Sequence, residues 1–151
     1  MLIRVSDCQQ VAWKNGGGTT REIAVFPPGA GIADFTWRLS SARVEKPGAF
    51  SRFDGIDRTI AILKGTLLLE VEGQVPRHLT SHSPPYAFPG HLATSGAPVG
   101  GEVLDLNLMV RRGAGCARMR IIPAGPVEIF TGVSFICPAR KPCSSLEIGK
   151  S

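Results

Sequence analysis

Uninterrupted stretches are scarce in this chain. Its 151 residues include 18 glycines and 12 prolines, spread so evenly that the longest segments free of both, 1–15 and 32–46, are 15 residues each. Long helices and coiled coils are therefore excluded, since glycine and proline both weaken a helix interior. No apolar run approaches the roughly 20 residues of a membrane-spanning helix. Charged residues are sparse at 19%, against 43% hydrophobic, a balance that excludes a wholly disordered chain. One domain, 1–151, is expected for this length.

Basic clusters are also missing. The net charge of +5 comes from 17 Lys and Arg against 12 Asp and Glu with no basic block, and aromatics are only 7%. Nucleic acid is thus not an expected partner, because phosphate tracking needs clustered cations with stacking aromatics among them. The four cysteines (Cys8, Cys116, Cys137, Cys143) form no Cys-x-x-Cys pair and read as free thiols. His78 and His82 are four apart, but Pro76, Pro84 and Pro85 bracket them, which argues against a helical metal pair. The segment Met1–Asp7 has no charged start, apolar stretch or small-residue cleavage site. A cytoplasmic location and no membrane partner are the expectations.

What remains is a series of short β-prone runs between turn residues, the pattern of a sandwich or barrel. Thr19 to Phe26 ends at Pro27-Pro28-Gly29. Phe35 to Val44 has two faces, with Phe35, Trp37 and Leu39 on one and Thr36, Arg38, Ser40 and Ala42 on the other. Arg58–Leu63 and Thr66–Val71 flank Lys64-Gly65 and predict a hairpin. Gln74 to Pro89 reads as an irregular connection carrying histidines. Val103 to Arg111 alternates strictly, placing Asp105 and Asn107 among Val103 and Met109 on one face and Leu104, Leu106, Leu108 and Val110 on the other. Met119–Ile122 and Val133–Ile136 are short strands, and a loosely ordered tail is expected over 138–151. Gly16-Gly17-Gly18 leads into a strand instead of a helix, so it predicts a close backbone approach and not a phosphate loop.

Several strings in order carry a resemblance: Trp13-Lys14-Asn15-Gly16-Gly17-Gly18-Thr19-Thr20-Arg21-Glu22-Ile23, Trp37-Arg38-Leu39-Ser40 and Gly48-Ala49-Phe50-Ser51. Phe53-Asp54-Gly55-Ile56-Asp57-Arg58 and Asp105-Leu106-Asn107-Leu108-Met109-Val110-Arg111-Arg112 follow. From about Val11 to Gly113 the chain resembles the HutD/Ves family of cupin-like proteins. The resemblance implies an all-β, RmlC-like barrel or jelly roll built of two cupin-type halves. Here these would be about 1–73 and a partial half over about 86–137, since about 38 residues follow Gly113. It also implies a bacterial protein tied to histidine utilisation or stress, with a small carboxylate or formyl-type ligand and no established catalytic activity. Where relatives often place an acid after the Phe-x-Gly turn, this chain has Phe88-Pro89-Gly90-His91.

Metal-binding cupins gather two imidazoles and a carboxylate inside the barrel. Aligned on Gly65, this chain puts Arg58 in the carboxylate slot, with Ser51 or Arg52 and Phe53 or Asp54 in the histidine slots, and it has no histidine before His78. A fixed guanidinium repels a divalent cation and attracts an anion, so no metal and no cofactor are expected. The expected anion site draws on Arg38 and Arg58 as bidentate donors, on Ser40 and Asn107 for orientation, and on Lys14 and Asn15 from the glycine-rich loop. Glu22, Asp57 and Asp105 are its carboxylates. Binding of a small anionic metabolite, a carboxylate or formyl- or acyl-amino acid, with a regulatory role is the leading expectation. Two others stand beside it: a metal-independent isomerase or lyase using Glu22, Asp57 or His91 as proton carrier, and an oligomeric scaffold without ligand. A homodimer formed through an unclosed second half is kept among the partners.

Overall fold

The computed structural model describes residues 3–121 and the backbone of 133–137 and 144–149. A single 3-10 turn (Val5–Asp7) precedes β1 (Gln10–Ala12), β2 (Gly18–Phe26), β3 (Trp37–Val44), β4 (Gly48–Ala49), β5 (Ile56–Lys64), β6 (Thr66–Val71) and β7 (Arg77–Thr80). β8 (Tyr86–Pro89), β9 (Thr94–Pro98), β10 (Val103–Arg111), β11 (Cys116–Ile121), β12 (Val133–Cys137) and β13 (Ser144–Gly149) complete the order. The all-β expectation holds. Among the described residues no helix is long and apolar enough to cross a membrane.

β1-β2-β3-β10-β5-β8 form one antiparallel sheet and β4-β9-β6-β7 a second. Their facing sides share a core in which Val44, Ile60, Ile62 and Val103 of the first pack against Leu67, Leu69, Val71 and Leu79 of the second. Burial of each such side chain contributes roughly 1.5–3 kcal/mol. The other side of the larger sheet is also covered. Leu39, Ala61, Leu106, Leu108 and Val110 pack there against Met119 of β11, so the predicted alternation of β10 separates two different cores.

Four elements differ from the sequence expectation. β5 and β6 do not form a hairpin; they lie in different sheets. Gly65, at φ +85°, turns the chain from one sheet to the other, and a Cβ there would stand 2.6 Å from the Glu102 carbonyl oxygen. The supposedly irregular 74–89 contains β7 and β8, whose backbone groups are satisfied by β6 and β5. Its prolines 76, 84 and 85 lie outside those strands, where no ladder N–H is needed. Phe35 precedes β3 and does not share a face with Trp37 and Leu39; it is fully buried beside Ile56 and Met109. At the C-terminal end, Ser144–Gly149 is a strand between β11 and β12, whereas 138–143, 150 and 151 lie outside the described residues, as does Ile122.

Candidate functional site

The inner face of β3, β10 and β5 is built in cross-strand rows. Register places Arg38 opposite Met109 and Met109 opposite Arg58, and in the next row Ser40 opposite Asn107 and Asn107 opposite Ile60. One step deeper, Asp105 Oδ1 accepts the Ala42 N–H at 3.0 Å and the Asp105 carbonyl accepts from Ser41 Oγ at 2.7 Å. A bulge in β2 between Glu22 and Ala24 resets the pleat. Glu22 lies opposite Ser40 and Val25 opposite Arg38, and both side chains turn inward.

These rows line a cavity of about 750 Å³. Of the residues expected at the site, Lys14, Asn15, Glu22, Arg38, Ser40, Arg58, Asp105 and Asn107 all line it. Asp57 does not. It neighbours Arg58 on a strand, so the pleat sends it to the opposite face, where it pairs with Arg112 Nη2 at 2.9 Å in solvent. Lys14 and Asn15 are at the exposed rim, and Asn15 Oδ1 accepts the Gly17 N–H at 2.9 Å. A smaller hollow of about 460 Å³ on the Asp57 side contains this Arg112 pair.

Arg58 dominates the electrostatics. It is only 6% exposed, its guanidinium carbon lies 5.2, 5.4 and 5.7 Å from the ring centroids of Phe88, Phe53 and Phe50, and Nη1 donates to the Ser51 carbonyl at 3.1 Å. Its Nε has no partner, and among the described residues no carboxylate oxygen comes within 4.0 Å of it. Burial lowers the guanidinium to about 10, with Asp105 opposing and Arg38 reinforcing the shift, so it stays charged at neutral pH. Asp105, 2% exposed, is pushed up to about 7 by burial, against the Ala42 hydrogen bond and the Arg58 charge. Arg38 Nε donates to Glu22 Oε2 at 2.8 Å. Asn107, 4% exposed, leaves its Oδ1 without a partner.

A buried charge with one neutral acceptor and an orphan amide in the same space are expensive features for a fold to keep, on the order of several kcal/mol for the ion. The guanidinium suits an anionic group, whereas the Asn107 oxygen, which only accepts, suits a hydrogen-bond donor on the same molecule. A divalent cation fits poorly, because a guanidinium lines the cavity, Glu22 is already engaged by Arg38, and His78, His82 and His91 are exposed and do not line it.

Three aromatic residues around Arg58 were not read as site residues in the sequence; Phe50 and Phe53 line the cavity, and Phe88 packs on Arg58 without lining it. Phe88 lies directly opposite Arg58 in the β5–β8 register, and Phe50 and Phe53 flank the Ser51 that holds it. The Phe50-Ser51-Arg52-Phe53 string was the available signal. Trp13, read as packing, lines the cavity too and meets Phe50 edge-on at 6.0 Å while its Nε1 donates to Thr20 Oγ1 at 2.8 Å.

Residues 5–135 match the HutD family model. The chain belongs to the HutD family. It is 41% identical over 109 residues to an uncharacterised 21.2 kDa protein of the hutC 3' region of Pseudomonas putida, covering 72% of this chain and 56% of that one. To protein Ves of Citrobacter koseri it is 38% identical over 111 residues, with the same shares covered. The chain thus spans about half the length of the curated relatives it matches. Among solved structures, HutD from Pseudomonas fluorescens SBW25, described as a formate condition, superposes with a TM-score of 0.78 at 25% identity over 99% of this chain and 97% of that one. A conserved protein of unknown function from Pseudomonas aeruginosa PAO1 gives 0.73 at 35% identity, covering 80% and 61%. An RmlC-like cupin from Shewanella frigidimarina, at 0.53 and 10% identity over 72% and 87%, shares the fold alone. This HutD-family chain is accordingly all-β and cupin-like.

Proposed function

We propose that this HutD-family chain binds a small carboxylate-bearing metabolite in the barrel cavity and acts as a cytoplasmic sensor or buffer of that metabolite in amino-acid utilisation. One observation carries the reading: the Arg58 guanidinium is buried at the cavity wall, and among the described residues no carboxylate oxygen comes within 4.0 Å of it. Arg58 and Arg38 grip the carboxylate, and Ser40 and Asn107 orient the rest of the ligand. Guanidinium–carboxylate pairing is strongest where water is scarce, which the ring of Phe50, Phe53 and Phe88 supports. The family's tie to histidine utilisation supplies the metabolic setting. Catalysis is less well supported, since Asp57 is on the far face and His91 does not line the cavity, leaving Glu22 as the only one of the three named proton carriers there.

The test is thermal unfolding with formate, acetate and N-acetylglycine. A ligand at a hundred times its Kd stabilises by about 2.7 kcal/mol, and we expect such acids to raise the unfolding midpoint of the wild-type chain. In Arg58→Met the acid effect is lost while the unliganded midpoint stays level or rises, because an apolar chain replaces an uncompensated ion among three phenyl rings. An Arg58→Met protein that responds to the acids like wild type overturns the reading.

A further inference from the structure

A carboxylate entering the cavity meets carboxyl groups that already line it. Glu22 of β2 is accounted for by Arg38 of β3 at 2.8 Å and stands half open to water, its side chain 40% exposed. Asp105 is different. It is 2% exposed, no Lys or Arg nitrogen lies within 4.0 Å among the described residues, and its side chain accepts one hydrogen bond, from the Ala42 N–H. The charged groups that share its cavity are Arg58 from β5, Arg38 from β3, Glu22 from β2 and Lys14 at the rim; its own strand adds only Asn107 and Met109 on that face.

The charge count decides what happens on binding. Arg38 is matched by Glu22, and Arg58 is the one buried cation left. Unliganded, it is the one buried cation among the described residues with no carboxylate paired to it, Lys14 lying at the exposed rim, and its charge acts on Asp105; a bound carboxylate claims it. Two carboxylates that share a water-poor site with one free cation do not both stay ionised. Glu22 keeps its ion pair and its solvent, so the proton goes to the group with neither. Resting on the anion-binding reading above, we propose that a carboxylate enters this cavity together with one proton, and that the proton is held on Asp105. The protonated carboxyl then becomes a hydrogen-bond donor facing the ligand, and the site recognises an acid as anion plus proton. Burial has already raised Asp105 to about 7, so the uptake costs little near neutral pH.

The test is titration calorimetry of formate into the full chain in buffers of different protonation enthalpy, phosphate and Tris, from pH 5.5 to pH 8.5. Expected is the uptake of nearly one proton per formate at pH 8.5, falling toward zero at pH 5.5, with affinity weakening about tenfold per pH unit above pH 7. Asp105→Asn keeps an oxygen for the Ala42 N–H and needs no proton. It should bind formate with no uptake and no pH dependence, and at pH 8.5 about thirtyfold more tightly than wild type. Formate binding by the wild-type chain with no proton uptake at pH 8.5, which requires no variant, overturns this proposal and leaves the anion site standing. Silence toward formate, acetate and N-acetylglycine across the whole pH range overturns the anion site itself, and this inference with it.

Discussion

Asp105 holds its proton in the folded chain over a pH range in which the unfolded chain has lost it. Its carboxyl moves from 3.8 to about 7 on folding, so between those values the native state binds more protons than the unfolded state, and stability falls as pH rises. The contribution is complete below about pH 4 and gone above about pH 7, and amounts to roughly 4 kcal/mol at one pKa unit per 1.36 kcal/mol. Urea unfolding at pH 5 and pH 8 checks this: wild type should lose about 2–3 kcal/mol more stability between them than Asp105→Asn. Equal losses in the two proteins would show that Asp105 is ionised in the fold. At this scale the sequence was informative. Strict alternation in Val103–Arg111 exposed Asp105 and Asn107 as polar residues on an inner face, and the same pleat, applied to β5, separates Asp57 from Arg58. What was not legible was the pairing of charges. That Glu22 meets Arg38 while Arg58 goes without depends on the β2 bulge and the β3 register, which no local pattern reveals.

Strands β2 and β3 carry Glu22, Arg38 and Ser40, and Gly18 sits where the start of β2 pairs with the end of β3. A Cβ at Gly18 would lie 2.2 Å from the Arg43 carbonyl oxygen, a backbone clash that only strand separation relieves. Gly18→Ala should therefore lower stability by about 2 kcal/mol or more, well beyond the fraction of a kcal/mol expected at an unconstrained site, and lower formate affinity with it by shifting the Glu22–Arg38 pair. Chemical unfolding and formate titration of the same sample check both, and a neutral substitution would contradict the close approach. The glycine triplet was thus legible as a packing feature. The weak strands were not: β7, β8 and β9 are four or five residues long and hold or border Pro76, Pro85, Pro89, Gly96 and Pro98. β8 and β9 make their ladders with strands distant in sequence, so local propensity points to loops where long-range pairing makes strands; β7 pairs with its sequence neighbour β6, across a connection whose Gly73 and Pro76 hid the hairpin. The hairpin expected at Gly65 failed for a related reason, since a positive-φ glycine marks a sharp turn without saying whether the strands it joins share a sheet.

At the scale of the whole molecule, the cavity is lined by the larger sheet together with the segments 9–15, 30–32 and 49–53. The aromatic rings around Arg58 lower the local dielectric, and under the proposed function this is what makes the arginine an anion anchor. The net charge of +5 adds a weaker, salt-screened bias toward anions over the surface. In the proposed reading, the inner polar rows place fixed positive charge, Arg58 and Arg38, where a ligand carboxylate is held. The most direct test watches that charge: the ¹⁵N–¹H resonance of Arg58 Nε, assigned by its loss in Arg58→Met, followed during formate titration at pH 6.5. We predict a saturable shift that tracks the calorimetric binding curve. Saturable formate binding that leaves the Arg58 resonance unmoved would contradict the account.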